Sequence, residues 1–188
     1  MIPVGYMAKN VSVRPDWLTS GLVGDIFSVS DCISHDFDYY ISYWEHNGFW
    51  FFDSPMSIIK LATENSIELK GTKLFFYEAH PLAFDDVAKK WIPFEKIQSF
   101  TTNIQLPDEK NLEGFDIVTY SQGTTHECSP LSCNSLAEEF STNEHCLLSS
   151  FQSAIELLEN GKFKDSEPGP FRIFAVYSTE WPSHKIFE

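Results

Sequence analysis

Phe171-Arg172-Ile173-Phe174-Ala175-Val176-Tyr177 is the stretch on which the fold turns. It is a nearly continuous apolar run, interrupted only by Arg172. A strand buried on both faces loses the usual polar alternation, so this run reads as a central strand of a sheet. Glu167-Pro168-Gly169-Pro170 precedes it as a rigid turn. Before that turn, Ser150 is placed to cap a helix whose inward stripe is Phe151, Ala154, Ile155 and Leu158. Gly161 stands where that helix should stop.

Further strands are expected at residues 115–120, centred on Ile117 and Val118, and at 73–79. A short buried strand is expected at 25–29, and a weakly alternating one at 100–106, ended by Pro107. Residues 49–52, Phe49-Trp50-Phe51-Phe52, read as a strand or a buried edge. The more polar stretch 81–96 reads as loop with one helical turn. Ser54 followed by Pro55 announces a helix that continues through Ile58, Ile59 and Ala62 to about Asn65. Phe37, Tyr40, Ile41 and Trp44 fall at helical spacing, with Asp36 and Asp38 in the first turn and Asn47-Gly48 as a stop. Ser135 with Glu138 three residues on is a capping-box pattern for a short helix with Leu136, Ala137 and Phe140 inward.

Strands and helices mix without a regular β-α-β rhythm. The expected fold class is therefore α+β: one domain over residues 1–188, with a mostly antiparallel or mixed sheet and about three to four helices packed on it. A chain of this length buries a sizeable core without metals or disulfides.

The formal net charge is −14, from 27 acidic and 13 basic residues, and aromatic residues make up 15% of the chain. A field of that sign repels phosphate, so neither nucleic acid nor an anionic membrane is an expected partner. Residues 1–10 lack the basic start and apolar run of a secretory signal, so a cytoplasmic protein is expected. In a reducing compartment Cys32, Cys128, Cys133 and Cys146 are thiols or metal ligands, not disulfide staples.

His126-Glu127-Cys128-Ser129-Pro130-Leu131-Ser132-Cys133 and His145-Cys146 form the densest group of reactive side chains. Zinc binds thiolate and imidazole, so Cys128, Cys133 and Cys146 with His126 or His145 are the candidate ligands. Adjacent His145 and Cys146 point apart in any regular element, so at most one of them binds. Cys128 or Cys133 before a helix start, with His126 as base, is the candidate nucleophilic arrangement. A disulfide between Cys128 and Cys133 is a further option, since both lie in one loop. The competing role for all four cysteines is packing, because a free thiol behaves as a small hydrophobe.

Trp44, Trp50 and Phe52 are the candidates for a recognition surface, with burial on both sides as the competing role. No phosphate-binding loop, dinucleotide fingerprint or HExxH sequence occurs. In size, charge and aromatic content the chain resembles small acidic bacterial proteins that neutralise toxins. The leading expectation is thus a non-enzymatic binding domain of the immunity or inhibitor type, meeting a basic protein and needing no cofactor. The alternative is a zinc-binding protein or thiol-dependent enzyme built on residues 126–146.

Overall fold

A computed structural model describes residues 1–94, 101–121, 123 and 125–182. The elements in chain order are β1 (Ile2–Asn10), β2 (Ser12–Val13), β3 (Asp25–Ile26), β4 (His35–Asp36), α1 (Pro55–Asn65), β5 (Lys73–Asp85) and β6 (Lys90–Pro93). They continue with β7 (Asn111–Thr119), α2 (Pro130–Cys133), α3 (Phe151–Glu159) and β8 (Phe171–Thr179). The main sheet runs β4-β1-β5-β8-β7, with β6 also on β5, and every pairing is antiparallel. β2 and β3 form a separate ribbon. The fold is α+β, but leaner in helix than expected: α1, α2 and α3 have 11, 4 and 9 residues. No helix among the described residues is long and apolar enough to cross a membrane.

β8 lies between β5 and β7, and residues 171–176 are all buried. Its alternate side chains enter two cores. Phe171 and Ile173 pack in the cluster that holds Ala154 and Leu158 of α3. Phe174 and Val176 pack in the larger one, with Phe51, Tyr77 and the α1 residues Ile58 and Ala62. Both long helices start as the sequence indicates. Ser54 Oγ accepts from the Ser57 amide at 3.2 Å, and Ser150 Oγ from the Ser153 amide at 3.1 Å. Caps of this kind contribute about 1 kcal/mol each.

The helix expected after Asp36 does not form. A single 3-10 turn, Tyr40–Ser42, takes its place. Asp36 pairs with Lys9 in the sheet, the Phe37 amide donates to the Ala8 carbonyl, and Tyr39 turns left-handed at φ 63°. Sheet pairing outcompetes the weak helix propensity of aromatic residues. The spaced rings still cluster, with Trp44 stacked on Phe52 at 4.2 Å and Phe37 5.0 Å from Tyr40, but Ile41 is exposed.

Residues 49–52 are not a strand either; only Phe52 bridges to Tyr6. Asn47 shapes this loop by donating to the Val4 carbonyl and accepting from the Phe49 and Phe51 amides. Gly5, at φ 126°, lets the Phe52 carbonyl approach where a Cβ would stand.

The Ser135 capping box is absent. Ser135 is left-handed with no capping bond, Leu136–Glu138 is a 3-10 turn, and the Glu138 carboxylate instead accepts from the Thr19 amide at 2.7 Å. Residues 81–93 are mostly hairpin rather than loop, because β5 runs on to Asp85 and turns back as β6. Residues 101–106 carry no strand, and residue 100 lies outside the described residues. Asp53 takes their amides instead, from Asn103 on its carboxylate and from Gln105 on its carbonyl.

Candidate metal centre

The sulfurs of Cys32, Cys128 and Cys133 lie within 4.8 Å of one another. Two loops deliver them, one that follows β7 and one between β3 and β4.

Cys128 follows the end of β7. The Thr119 amide donates to the Cys128 carbonyl at 2.9 Å, and the Cys128 amide returns a bond to Thr119 Oγ1 at 3.2 Å. The single turn α2 then brings Cys133 back over Cys128, its amide donating to the Ser129 carbonyl at 2.9 Å.

Cys32 arrives on the loop between β3 and β4. Lys9, fully buried on β1, holds that loop by its backbone: Nζ donates to the carbonyls of Ser30 at 2.9 Å and Ser34 at 3.0 Å, and meets Asp36 Oδ1 at 2.9 Å. Two carbonyl acceptors and one adjacent carboxylate thus face the ammonium, which is how a buried lysine charge is tolerated.

Asp116 on β7 joins the two loops. Its Oδ2 accepts from the Val29 amide at 2.8 Å and from Ser129 Oγ at 2.6 Å, and Ser129 Oγ in turn accepts from the Ser30 amide at 3.2 Å. Burial pushes the Asp116 carboxyl up to about 6, against the pull of Ser129 and of the Val29 and Ile117 amides.

The three thiols share their protons. Hydrogen bonds from Cys128 and Cys133, with help from Ser30 and the Ser129 amide, pull the Cys32 pKa down. Cys133 and Cys32, together with burial, push Cys128 up. Cys133 is lowered by its bond with Cys128 but raised more by Cys32 and burial, to about 11. A charge on one of these thiols therefore opposes a charge on the others. Cys32 is exposed, Cys133 half-buried and Cys128 buried.

The donor set suits one borderline or soft ion. Zinc–thiolate bonds of about 2.3 Å in a tetrahedron put sulfurs roughly 3.8 Å apart, so the thiols need to close by about 1 Å at most. Three protein ligands leave a fourth position for an exchangeable group, on the exposed Cys32 side. This is the one group of three or more metal-ligating residues among the described residues.

Compared with protein-family models, with curated proteins and with solved structures, the chain finds no match.

The residues singled out from the sequence divide. Cys128 and Cys133 meet, and Cys32 joins them from a distant loop. Cys146 is not in the group; it is buried in the core with Ile26, Leu131 and Leu148, and burial pushes its thiol up to about 12. His145 stacks on Phe27 at 3.8 Å with Nε2 3.6 Å from Glu113. His126 stacks on Phe51 at 4.8 Å, and burial lowers its imidazole to about 3. Its buried Nδ1 has no hydrogen-bond partner among the described residues. The Cys128 thiol donates to Asn134 Oδ1 at 3.5 Å, so among the described residues its bond is to an amide and not to an imidazole.

Trp44 and Trp50 are half-buried, each stacked on a neighbour, and Phe52 is buried. The signal for Cys32 was its setting: a cysteine among Ser28, Ser30, Asp31 and Ser34, where loop polarity argues against a packing role.

Proposed function

We propose that this chain binds a single zinc-class ion through the thiolates of Cys32, Cys128 and Cys133, with one coordination position left for an exchangeable ligand. The observation that carries the reading is the convergence of three sulfurs within 4.8 Å, from two loops that Asp116 ties together, with Lys9 holding the one that bears Cys32. Zinc titration of the reduced protein, read by native mass spectrometry and competition with a chelator, tests it. One zinc per chain is expected. Cys32→Ser, Cys128→Ser or Cys133→Ser should each weaken binding at least about 100-fold, whereas Cys146→Ser and His145→Ala should leave it unchanged. Failure to take up one equivalent, or a Cys146 variant as damaged as the Cys32 variant, overturns the reading.

A second reading, recognition of a basic protein, is favoured by a different surface. Tyr39, Ile41 and Tyr43 are exposed together on the 3-10 turn, and a cavity of about 220 Å³ there is lined by Asp38, Tyr39, Tyr43 and Glu68. Exposed tyrosines among carboxylates suit a cationic partner, with salt-sensitive association. A basic partner whose binding survives Tyr39→Ala with Tyr43→Ala and is indifferent to salt would sink it.

A further inference from the structure

We propose that the same three thiols form a peroxide-reactive centre in which Cys32 is oxidised first and Cys133 resolves it to a disulfide. The proposal shares its sulfurs with the zinc reading but does not need a bound ion.

The asymmetry of the cluster carries it. Cys32 is the exposed member, its sulfur donating to the Glu127 carbonyl at 3.4 Å beside the two other thiols. Cys128 is buried and engaged with Asn134. Cys133 is half-buried, with the hydroxyls of Ser30 and Ser132 each 3.9 Å from its sulfur. The Ser30 hydroxyl can donate to a sulfur anion as it forms, while that of Ser132 is given to the Ser129 carbonyl at 3.2 Å.

A disulfide bond measures about 2.05 Å, so sulfurs at most 4.8 Å apart must close by about 2.7 Å. Cys32 is the exposed side chain of the pair, and Ser30 and Ser34 on either side of it are bound to Lys9. Metal-site formation and disulfide formation thus compete for the same two sulfurs.

The chemistry uses a hydroperoxide as oxidant. The Cys32 sulfur attacks the terminal peroxide oxygen and the O–O bond breaks. The alcohol (water, for hydrogen peroxide) leaves with the proton, and Cys32 carries S–OH. The Cys133 sulfur then attacks the Cys32 sulfur. The S–S bond forms, the S–O bond breaks, and hydroxide leaves with the Cys133 proton as water. Two electrons pass from the two thiols to the peroxide.

The Cys32–Cys133 bond closes a loop of about 100 residues, in contrast to a Cys128–Cys133 bond inside one short loop. The two products are therefore separable by peptide mapping and by melting temperature, which only the long-range crosslink should raise markedly.

The test treats reduced, chelator-washed protein with one equivalent of hydrogen peroxide. Intact mass and peptide mapping follow. The expected result is a monomer lighter by two hydrogens with Cys32 linked to Cys133. Cys133→Ser should instead accumulate oxygen on Cys32, and Cys32→Ser should slow oxidation of the remaining thiols at least about tenfold. A Cys128–Cys133 linkage, a covalent dimer, or Cys32 carrying two oxygens in the unsubstituted chain overturns the proposal. Zinc titration of the reduced protein in parallel separates the two readings. Zinc uptake without disulfide sinks this proposal alone. Disulfide without zinc uptake leaves it standing and sinks the zinc reading.

Discussion

Two cations are buried in this sheet, and they are accommodated in opposite ways. Lys9 on β1 is surrounded by oxygen: two backbone carbonyls and the Asp36 carboxylate, all within 3.0 Å of Nζ. Arg172 on β8 is surrounded by rings. Its guanidinium carbon lies 4.1 Å from the centre of Phe94, 5.7 Å from Phe174 and 5.9 Å from Phe49. Its Nε donates to the His80 carbonyl at 2.8 Å, and Nη2 has no hydrogen-bond partner among the described residues. Burial pulls its pKa down, with Tyr120 acting the other way.

The contrast follows from the two head groups. An ammonium is compact and strongly hydrated, so it must be given acceptors. A guanidinium is flat and weakly hydrated, so it stacks on aromatic faces. The contacts also differ in what they hold. Lys9 grips the backbone of the loop that carries Cys32, whereas Arg172 grips none of the thiol loops. One buried cation therefore organises the candidate site, and the other fills a core.

The largest expected effect is at Lys9. Lys9→Met strands the Asp36 carboxylate and two carbonyls in the interior, at a cost of about 3–5 kcal/mol. It also frees the Cys32 loop, so zinc uptake should fall with stability. Denaturant melts and the zinc isotherm of one preparation check both.

Asp116, between the two thiol loops, makes the Lys9 side titrate. Burial lifts its carboxyl to about 6, above the ordinary 3.8. The folded state therefore holds this proton more tightly than the unfolded chain. Its contribution favours folding below pH 4 and is lost as pH rises through 6, by about 3 kcal/mol in all. Asp116→Asn should flatten that part of the stability profile between pH 4 and 6. An unchanged slope would remove Asp116 from the account.

Arg172→Met comes next, at about 1–3 kcal/mol, since it leaves one carbonyl unpaired but no opposite charge. Zinc uptake should not change. If this variant loses as much stability as Lys9→Met, or loses zinc, the contrast between the two cations is wrong. The smallest stability effect is expected for Cys32→Ser, within about 0.5 kcal/mol because the side chain is exposed. Its zinc binding should nevertheless collapse, separating a ligand from a support.

Local signals were legible wherever the deciding partners lie within a turn or two. The caps at Ser54 and Ser150 each accept from an amide three residues on. The apolar run at 171–176 is buried throughout, as its composition requires. Cys128 and Cys133 are joined by one helical turn, so their proximity follows from their spacing.

What the sequence left open involves partners far along the chain. β1 carries Gly5 and a buried lysine, which disguise a strand whose register only β5 and β4 define. The aromatic spacing after Asp36 is that of a helix, yet pairing with β1 takes the backbone away from it. Cys146 is thirteen residues from Cys133 yet packs in a core, while Cys32, more than ninety residues from Cys128, completes the sulfur group. The physical reason is that residue spacing governs who meets within one element, whereas Asp116 joins the two thiol loops and Lys9 fixes one of them by hydrogen bonds between residues far apart in the chain. Sequence alone determined the helix starts at Ser54 and Ser150, the central strand and one of the three thiol pairings; tertiary structure decided which cysteines meet and which one is core.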